Sequence, residues 1–459
     1  MKHLKLILLS GFLFCNLADP LSEEDIVFRT LSQNTDLVVE RLQIEKSALD
    51  LKDAHSPKYP TLNFSLSGNR TDSATLTSGS ATVKQHIPGG GQITGSTQQG
   101  HSKPLNASSL YNRSFTASIE QPLLKGAWGA DPVQYSIRVS SINENLLSLQ
   151  NKQTILSQLS LARRHYWDLY EKKALLDISK KRTGQAKKIL EAQKARYRIG
   201  EATVLDTLSA ALEWSSAEQQ LLGAQFQYES ARSTLAAFLR EDADSITITD
   251  SMNMEIPDLP QPQEFTKLAR EYDPQMEIFN RMRELLSLHL KQEKNDLLPS
   301  LDVQASYSRS ALDPKFFSSI APHANKSIGL ILSYDFPQTS TRSNIKRREL
   351  DLQIQKENEK QHKIDLETRL NELKRRWKLD KLQVEYARAS SQLAQKQYEA
   401  TMKGYELGTE SRLSLIKAQN DLASAKSSYA QSLVQMKKLQ IILEEITGTT
   451  FNRFGVQLK

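Results

Sequence analysis

Two periodicities divide the chain. Short stretches alternate apolar with polar residues: Leu62, Phe64 and Leu66 against Asn63, Ser65 and Ser67, then Phe115, Ala117 and Ile119. The alternation returns at Leu301, Val303, Ala305 and Tyr307, and at Ile328, Leu330, Leu332, Tyr334 and Phe336. A period of two is that of a half-buried strand, so four strands in two hairpins are predicted. Elsewhere the pattern is helical. Helices are predicted over Leu21–Ser56 and Glu264–Leu297, each stopping just before a proline, which disfavours helix at the residue ahead of it. Two longer runs come after the hairpins, Pro132–Arg198 and Thr341–Leu407. At 1.5 Å per residue each spans about 100 Å, more than a compact domain needs. Each run leads into a shorter helix. In these, Leu221, Tyr228 and Leu235, and later Tyr429, Met436 and Leu443, repeat every seven residues. Sustained heptads predict packing against neighbouring helices.

The whole pattern occurs twice. Tyr197 and Gly200 in ARYRIGEATVLDTLSA match Tyr405 and Gly408 in KGYELGTESRLSLIKA, with 408 − 200 = 208 positions between them. Asn34 matches Asp273, Pro60 matches Pro299 and Pro122 matches Pro337, in the same order. That is an internal duplication: a first repeat over 19–248, a linker over 249–263, a second repeat over 264–448 and a tail over 449–459. The halves differ most at 69–112, rich in Gly, Ser and Asn, which reads as a long loop extending the outer side of the first hairpin. Each Tyr-x-x-Gly marks a chain reversal, because glycine supplies the left-handed conformation that ends a helix. Thr203 and Ser411 then stand where they can cap the next helix. Both glycines are therefore expected at the tips of helical hairpins.

Composition narrows the class. The 459 residues carry 60 basic and 53 acidic side chains, a net charge of +7, and no basic stripe interleaved with aromatics, so no nucleic-acid partner is expected. The start, MKHLKLILLSGFLFCNLADP, has two lysines and a short apolar run; it reads as a signal peptide over 1–18. Cys15, the sole cysteine, is a lipidation candidate disfavoured by bulky Phe14 before it. No later run approaches the roughly 20 apolar residues of a spanning helix. An exported chain of this kind is either soluble or a β-barrel. Four strands cannot close a barrel across a membrane, where roughly eight is the minimum, so strands that span must be pooled among several chains.

The duplicated Pro60-x-Leu62 and Pro299-x-Leu301 strand starts, QPLLKG at Gln121, the two tips continuing into VLDTLSA and RLSLIKA, and LEEITG ending at Gly448 together resemble the TolC-like outer-membrane channel proteins of Gram-negative-type bacteria. The resemblance covers about Leu21 to Gly448. It implies a mainly helical, duplicated fold whose three copies share a twelve-stranded transmembrane β-barrel and a periplasmic α-barrel. It further implies a passive conduit that meets a periplasmic adaptor and an inner-membrane pump of RND, ABC or MFS type, in efflux or type I secretion, and that opens by unwinding of the helical hairpins.

The tips carry the site expectations. Similar channels place an acidic residue at Asp206, facing the pore, where three carboxylates would form a ring and raise one another's pKa. Thr203-x-x-Asp206 is equally an N-terminal capping pattern. The second tip has Ser414 and Lys417 where carboxylates are usual, with Arg412 nearby. Either the constriction is weakly charged or Asp206 faces a basic group. Tyr197, Gly200, Leu205, Tyr405, Gly408 and Leu413 are the adaptor-contact candidates. No enzyme, metal or cofactor signature is found: the histidines are scattered, and Gly95-x-x-x-x-Gly100-His101-Ser102 lacks the lysine of a phosphate loop. Trp128, Trp167, Trp214 and Trp377 read as packing residues. The competing function is a periplasmic or surface-attached structural coiled-coil protein.

Overall fold

The computed structural model describes residues 21–71, 74–104, 108–248, 260–313 and 323–455. The expected signal peptide, with Cys15, and most of the expected linker lie outside these residues. In chain order the elements are α1 (Glu23–Gln33), α2 (Thr35–His55), β1 (Thr61–Arg70), β2 (Ala74–Ile87), β3 (Gly91–Pro104), β4 (Leu110–Pro122), α3 (Pro132–Arg198), α4 (Val204–Leu239), α5 (Pro262–Glu271), α6 (Pro274–Asn295), β5 (Ser300–Asp313), β6 (His323–Ser333), α7 (Thr339–Glu406), α8 (Arg412–Thr447) and α9 (Thr449–Arg453). No described helix is long and apolar enough to cross a membrane. The chain forms two compact units, one of residues 41–150 and 275–362, the other of residues up to 40, 151–274 and 363–459.

The first unit holds one antiparallel sheet in the order β1-β2-β3-β4-β5-β6. Six strands replace the four expected, and the long loop at 69–112 is mostly the hairpin β2–β3. Its residues are largely Thr, Ser, Gly and Gln, which alternate sides without alternating in hydropathy, so the period was hidden. The Gly89–Gly91 turn also lies at the opposite end from the one expected. It packs where β4 leads into α3: Gln121 Nε2 and Trp128 N donate to Gly89 O at 2.8 and 3.2 Å. Gly90 has φ +86°, and a Cβ there would stand 2.1 Å from Gly126 O. Only glycine fits that turn.

Cross-strand partners share a side of the sheet. One side is polar: Asn63, Thr82, Ser96, Thr116, Ser308 and Asn325 form a single row across all six strands. Serines pair there across strands, Ser65 with Ser80 and Ser306 with Ser327 at 2.7 Å, and Ser300 with Ser333 at 2.6 Å. The other side carries Leu62, Phe64, Leu66, Ile119, Ile328, Leu330 and Leu332, and all are exposed; Leu66 is 91% exposed and Ile328 84%. Below the sheet, Ile142 and Leu146 of α3 pack on Ile278 and Leu285 of α6. Asp131 Oδ1 accepts from Val133 N at 2.9 Å and caps α3. Trp128 departs from the packing role expected of it: it is exposed, at φ +44°.

The second unit is helical. Trp167, Leu169 and Tyr170 of α3 bury against Leu235 and Leu239 of α4 and Val434 and Ile441 of α8. A further core joins Phe265 of α5, Trp377 and Val384 of α7, and Met436, Leu439 and Leu443 of α8. The heptad positions Leu235, Met436 and Leu443 are thus core positions, each worth about 2 kcal/mol on burial. The fully buried Arg163 lies 2.6 Å from Glu23 and 2.7 Å from Glu444, and Arg453 also meets both carboxylates.

The two leading helices are each broken, against expectation. Asn34 turns extended between α1 and α2, and its Oδ1 accepts from Asp36 N at 2.9 Å. Asp273 separates α5 from α6, which starts on Pro274, a residue suited to a first helical position because its missing N–H is no loss there. Gly448 ends α8 at φ +68°, and a Cβ on it would come within 2.3 Å of the Tyr272 ring. Gly448→Ala is therefore expected to destabilise the protein by about 1–3 kcal/mol. A lowered thermal unfolding midpoint would show it, with Gly200→Ala, which has open space around it, costing only the backbone strain.

The helical tips as the candidate functional site

The sequence builds each tip in three steps. Gly200 and Gly408 both take φ +78°, with nothing within 4 Å of where a Cβ would stand. They satisfy the last helical carbonyls: Gly200 N donates to Tyr197 O and Gly408 N to Tyr405 O, both at 3.1 Å. A capping residue then restarts the helix. Thr203 and Asp206 form a reciprocal box: Thr203 N and Oγ1 donate to Asp206 Oδ2 at 3.1 and 2.7 Å, and Asp206 N donates to Thr203 Oγ1 at 3.2 Å. At the second tip Ser411 Oγ accepts from Ser414 N at 3.1 Å and the two hydroxyls meet at 2.9 Å. Ser414 is thereby occupied in capping.

Arg412 joins the tips. Its Nη1 donates to the backbone oxygen of Asp206, and its Nη2 lies 3.4 Å from Asp206 Oδ1. Of the two arrangements left open by the sequence, Asp206 has a basic neighbour. Its pKa is lowered, first by the Thr203 hydrogen bonds and last by the Arg412 charge. In this chain that direction is opposite to the one a ring of carboxylates would give. Lys417 is exposed on α8, away from this pair's contacts. A second link runs higher up: Gln193 Nε2 donates to Tyr405 Oη at 3.0 Å, and Arg196 stacks over the Tyr405 ring at 5.6 Å. Tyr405 is thus half-buried packing, whereas Tyr197 stays exposed.

Leu205 and Leu413 are 73% and 76% exposed. The tips also bare Ile199, Val204, Leu208, Leu212 and Leu407, which sequence reasoning passed over. The signal was present: a helix start that sets Val204, Leu205 and Leu208 in one turn is too apolar for a solvated end. Bare apolar side chains clustered on one surface mark a contact site.

The sequence matches the Outer membrane efflux protein family over residues 27–239 and 269–449, and the chain belongs to that family. The family is one of transport channels, which sets the chain in the outer membrane with a channel role in efflux. Its fold is similar to that of the Campylobacter jejuni CmeC outer membrane channel, at 16% identity and TM-score 0.71 over 95% of this chain and 90% of that one. It is similar also to the outer-membrane channel OprN (17%, TM-score 0.68, 93% and 89%) and to VceC from Vibrio cholerae (12%, TM-score 0.67, 93% and 96%). No curated protein matches the sequence at a significant level.

The pKa of Asp206 is lower in the folded state, so its stabilising effect is complete above the ordinary carboxylate range and is lost only as pH falls through the lower folded value. Difference infrared titration, wild type minus Asp206→Asn, should find the carboxylate ionised below that ordinary range. Thr203→Ala should raise its pKa more than Arg412→Gln, because the hydrogen bonds are the larger cause, and should cost the α4 cap about 1 kcal/mol.

Proposed function

We propose that three copies of this chain form an exit channel through the outer membrane, gated at the helical tips. One observation carries the reading: a sheet with an exposed apolar face, a polar face and two unpaired edges. Lipid accepts the first face and water the second, but lipid forbids the open edges. Six strands fall short of the roughly eight that a closed barrel needs, so copies must join edge to edge. Similarity to CmeC, OprN and VceC, each a channel or protein of the outer membrane, supports the same reading.

In this channel the tips are the periplasmic entrance, and the Arg412–Asp206 pair latches one hairpin to the other in the closed state. The exposed leucines Leu205 and Leu413, with Tyr197 and the reversals at Gly200 and Gly408, receive a periplasmic adaptor. That adaptor couples the conduit to an inner-membrane pump, which supplies the energy. The chain itself performs no chemistry. A purely structural periplasmic coiled coil would leave the apolar sheet face without a partner, and the channel reading is preferred for that reason.

The purified protein should extract with the outer membrane, run as a trimer in mild detergent and conduct in a planar bilayer. Release by salt, or a monomer in detergent, would remove the channel reading. Arg412→Ser and Asp206→Asn should each raise conductance several-fold, and the double variant should rise no further, because both remove one latch.

A further inference from the structure

The β2–β3 hairpin is the feature that family membership leaves unexplained. We infer that it is wall, not loop: it is inserted in the barrel between β1 and β4, so that three chains close eighteen strands instead of twelve and give a wider exit. This rests on the reading of the sheet as one third of a trimeric barrel.

Four observations carry it. First, the hairpin is paired along its length on both sides. β2 pairs with β1 from Thr61↔Lys84 to Arg70↔Thr75, and β3 with β4 from Gln92↔Glu120 to Ser102↔Leu110. β1 and β4 have no direct pairing; removing the hairpin from the wall would open both ladders.

Second, its part nearer the Gly89–Gly91 turn continues both faces, while farther out Thr75, Thr77, Gln99 and His101 stand on the apolar side and Leu76 on the polar side. Ala81, Val83 and Ile93 stand on the side of Leu62, Phe64 and Ile119, while Ser78, Ser80, Ser96 and Gln98 stand on the polar side. A plug or an external flap would have no reason to keep even that part of the alternation.

Third, the apolar band crosses the sheet on a diagonal that includes the hairpin. On β1 the band centres on Phe64. Its cross-strand row runs through Ala81, Thr97, Phe115 and Arg309 to Ala324 on β6. The apolar centre of β6 is Leu330, 330 − 324 = 6 residues nearer the turn-bearing end. At roughly 3.3 Å per residue and 4.8 Å per strand, that slide over the five inter-strand steps corresponds to a tilt of about 40°. Strands in closed barrels tilt by about 35–45°.

Fourth, six is even. β1 leaves the turn-bearing end and β6 returns to it, so β6 of one copy meets β1 of the next antiparallel, as every other neighbour in the sheet does.

Barrel diameter grows about linearly with strand number, so eighteen strands make a cylinder about 36 Å across its backbone where twelve make about 24 Å. The exit is then porin-like in width and lined mainly by hydroxyls and amides, with Lys84, Glu120 and Asp302 on the same side towards the Gly89–Gly91 end, and suited to bulky cargo.

Two measurements test this on the full-length protein. Electron cryo-microscopy of the detergent-purified particle should count eighteen strands. A trimer with twelve strands and the hairpin outside the wall would overturn the inference and leave the channel reading intact; a particle without a trimeric barrel would overturn both. In planar bilayers, neutral polyethylene glycols of graded size, added from the extracellular side, should enter the wild-type barrel up to a hydrodynamic radius about 1.5-fold larger than in a variant with residues 71–108 replaced by a two-residue turn. An unchanged cut-off in that variant would overturn the inference. If the variant does not assemble, the strand count alone decides.

Discussion

A backbone amide at the edge of a sheet needs a partner, and lipid offers none. That requirement governs this chain. Among the described residues β1 and β6 each present an unpaired row, and the side of the sheet that would meet lipid is studded with leucine, isoleucine and phenylalanine. A soluble protein would cover such a face with helices. Within the helical unit, Leu235, Leu439 and Leu443 are committed to helical cores. In the proposed channel another copy satisfies the edges, because copies bring the matching direction and the matching faces at once.

The duplication shows how one plan carries two different duties. Both tips reverse on a glycine at the same φ and restart on a hydroxyl cap. They differ in the first helical turn beyond the cap. The first tip places a carboxylate at the third helical position, where it closes a box with Thr203. The second places Ser414 there and spends its charge on Arg412, which reaches across to the first tip. An exact repeat would set two carboxylates at this point and they would repel. Here the second tip supplies an attachment instead.

What was legible in the sequence depended on contrast. β1, β4, β5 and β6 alternate leucine or phenylalanine with serine, so their period stands out. β2 alternates Thr75, Thr77 and Gly79 with Leu76, Ser78 and Ser80, and there the larger apolar side chain sits on the polar side; no hydropathy pattern could reveal a strand. Both ladders that flank it are long-range information. The breaks at Asn34 and Asp273 were visible as capping residues, and as a matched pair in the duplication, but the helical period on either side masked them. The tips were legible to the residue, because a left-handed turn restricts sequence tightly. The Arg412–Asp206 contact joins positions about two hundred apart in the chain and needed the fold.

The serine pairs on the polar side bear on how solutes travel. Ser65 and Ser80, or Ser306 and Ser327, spend a hydrogen bond on each other. Each pair uses one donor and one acceptor and leaves a second donor and further lone pairs to water, so in the proposed channel these rows hold a hydrated, neutral lining.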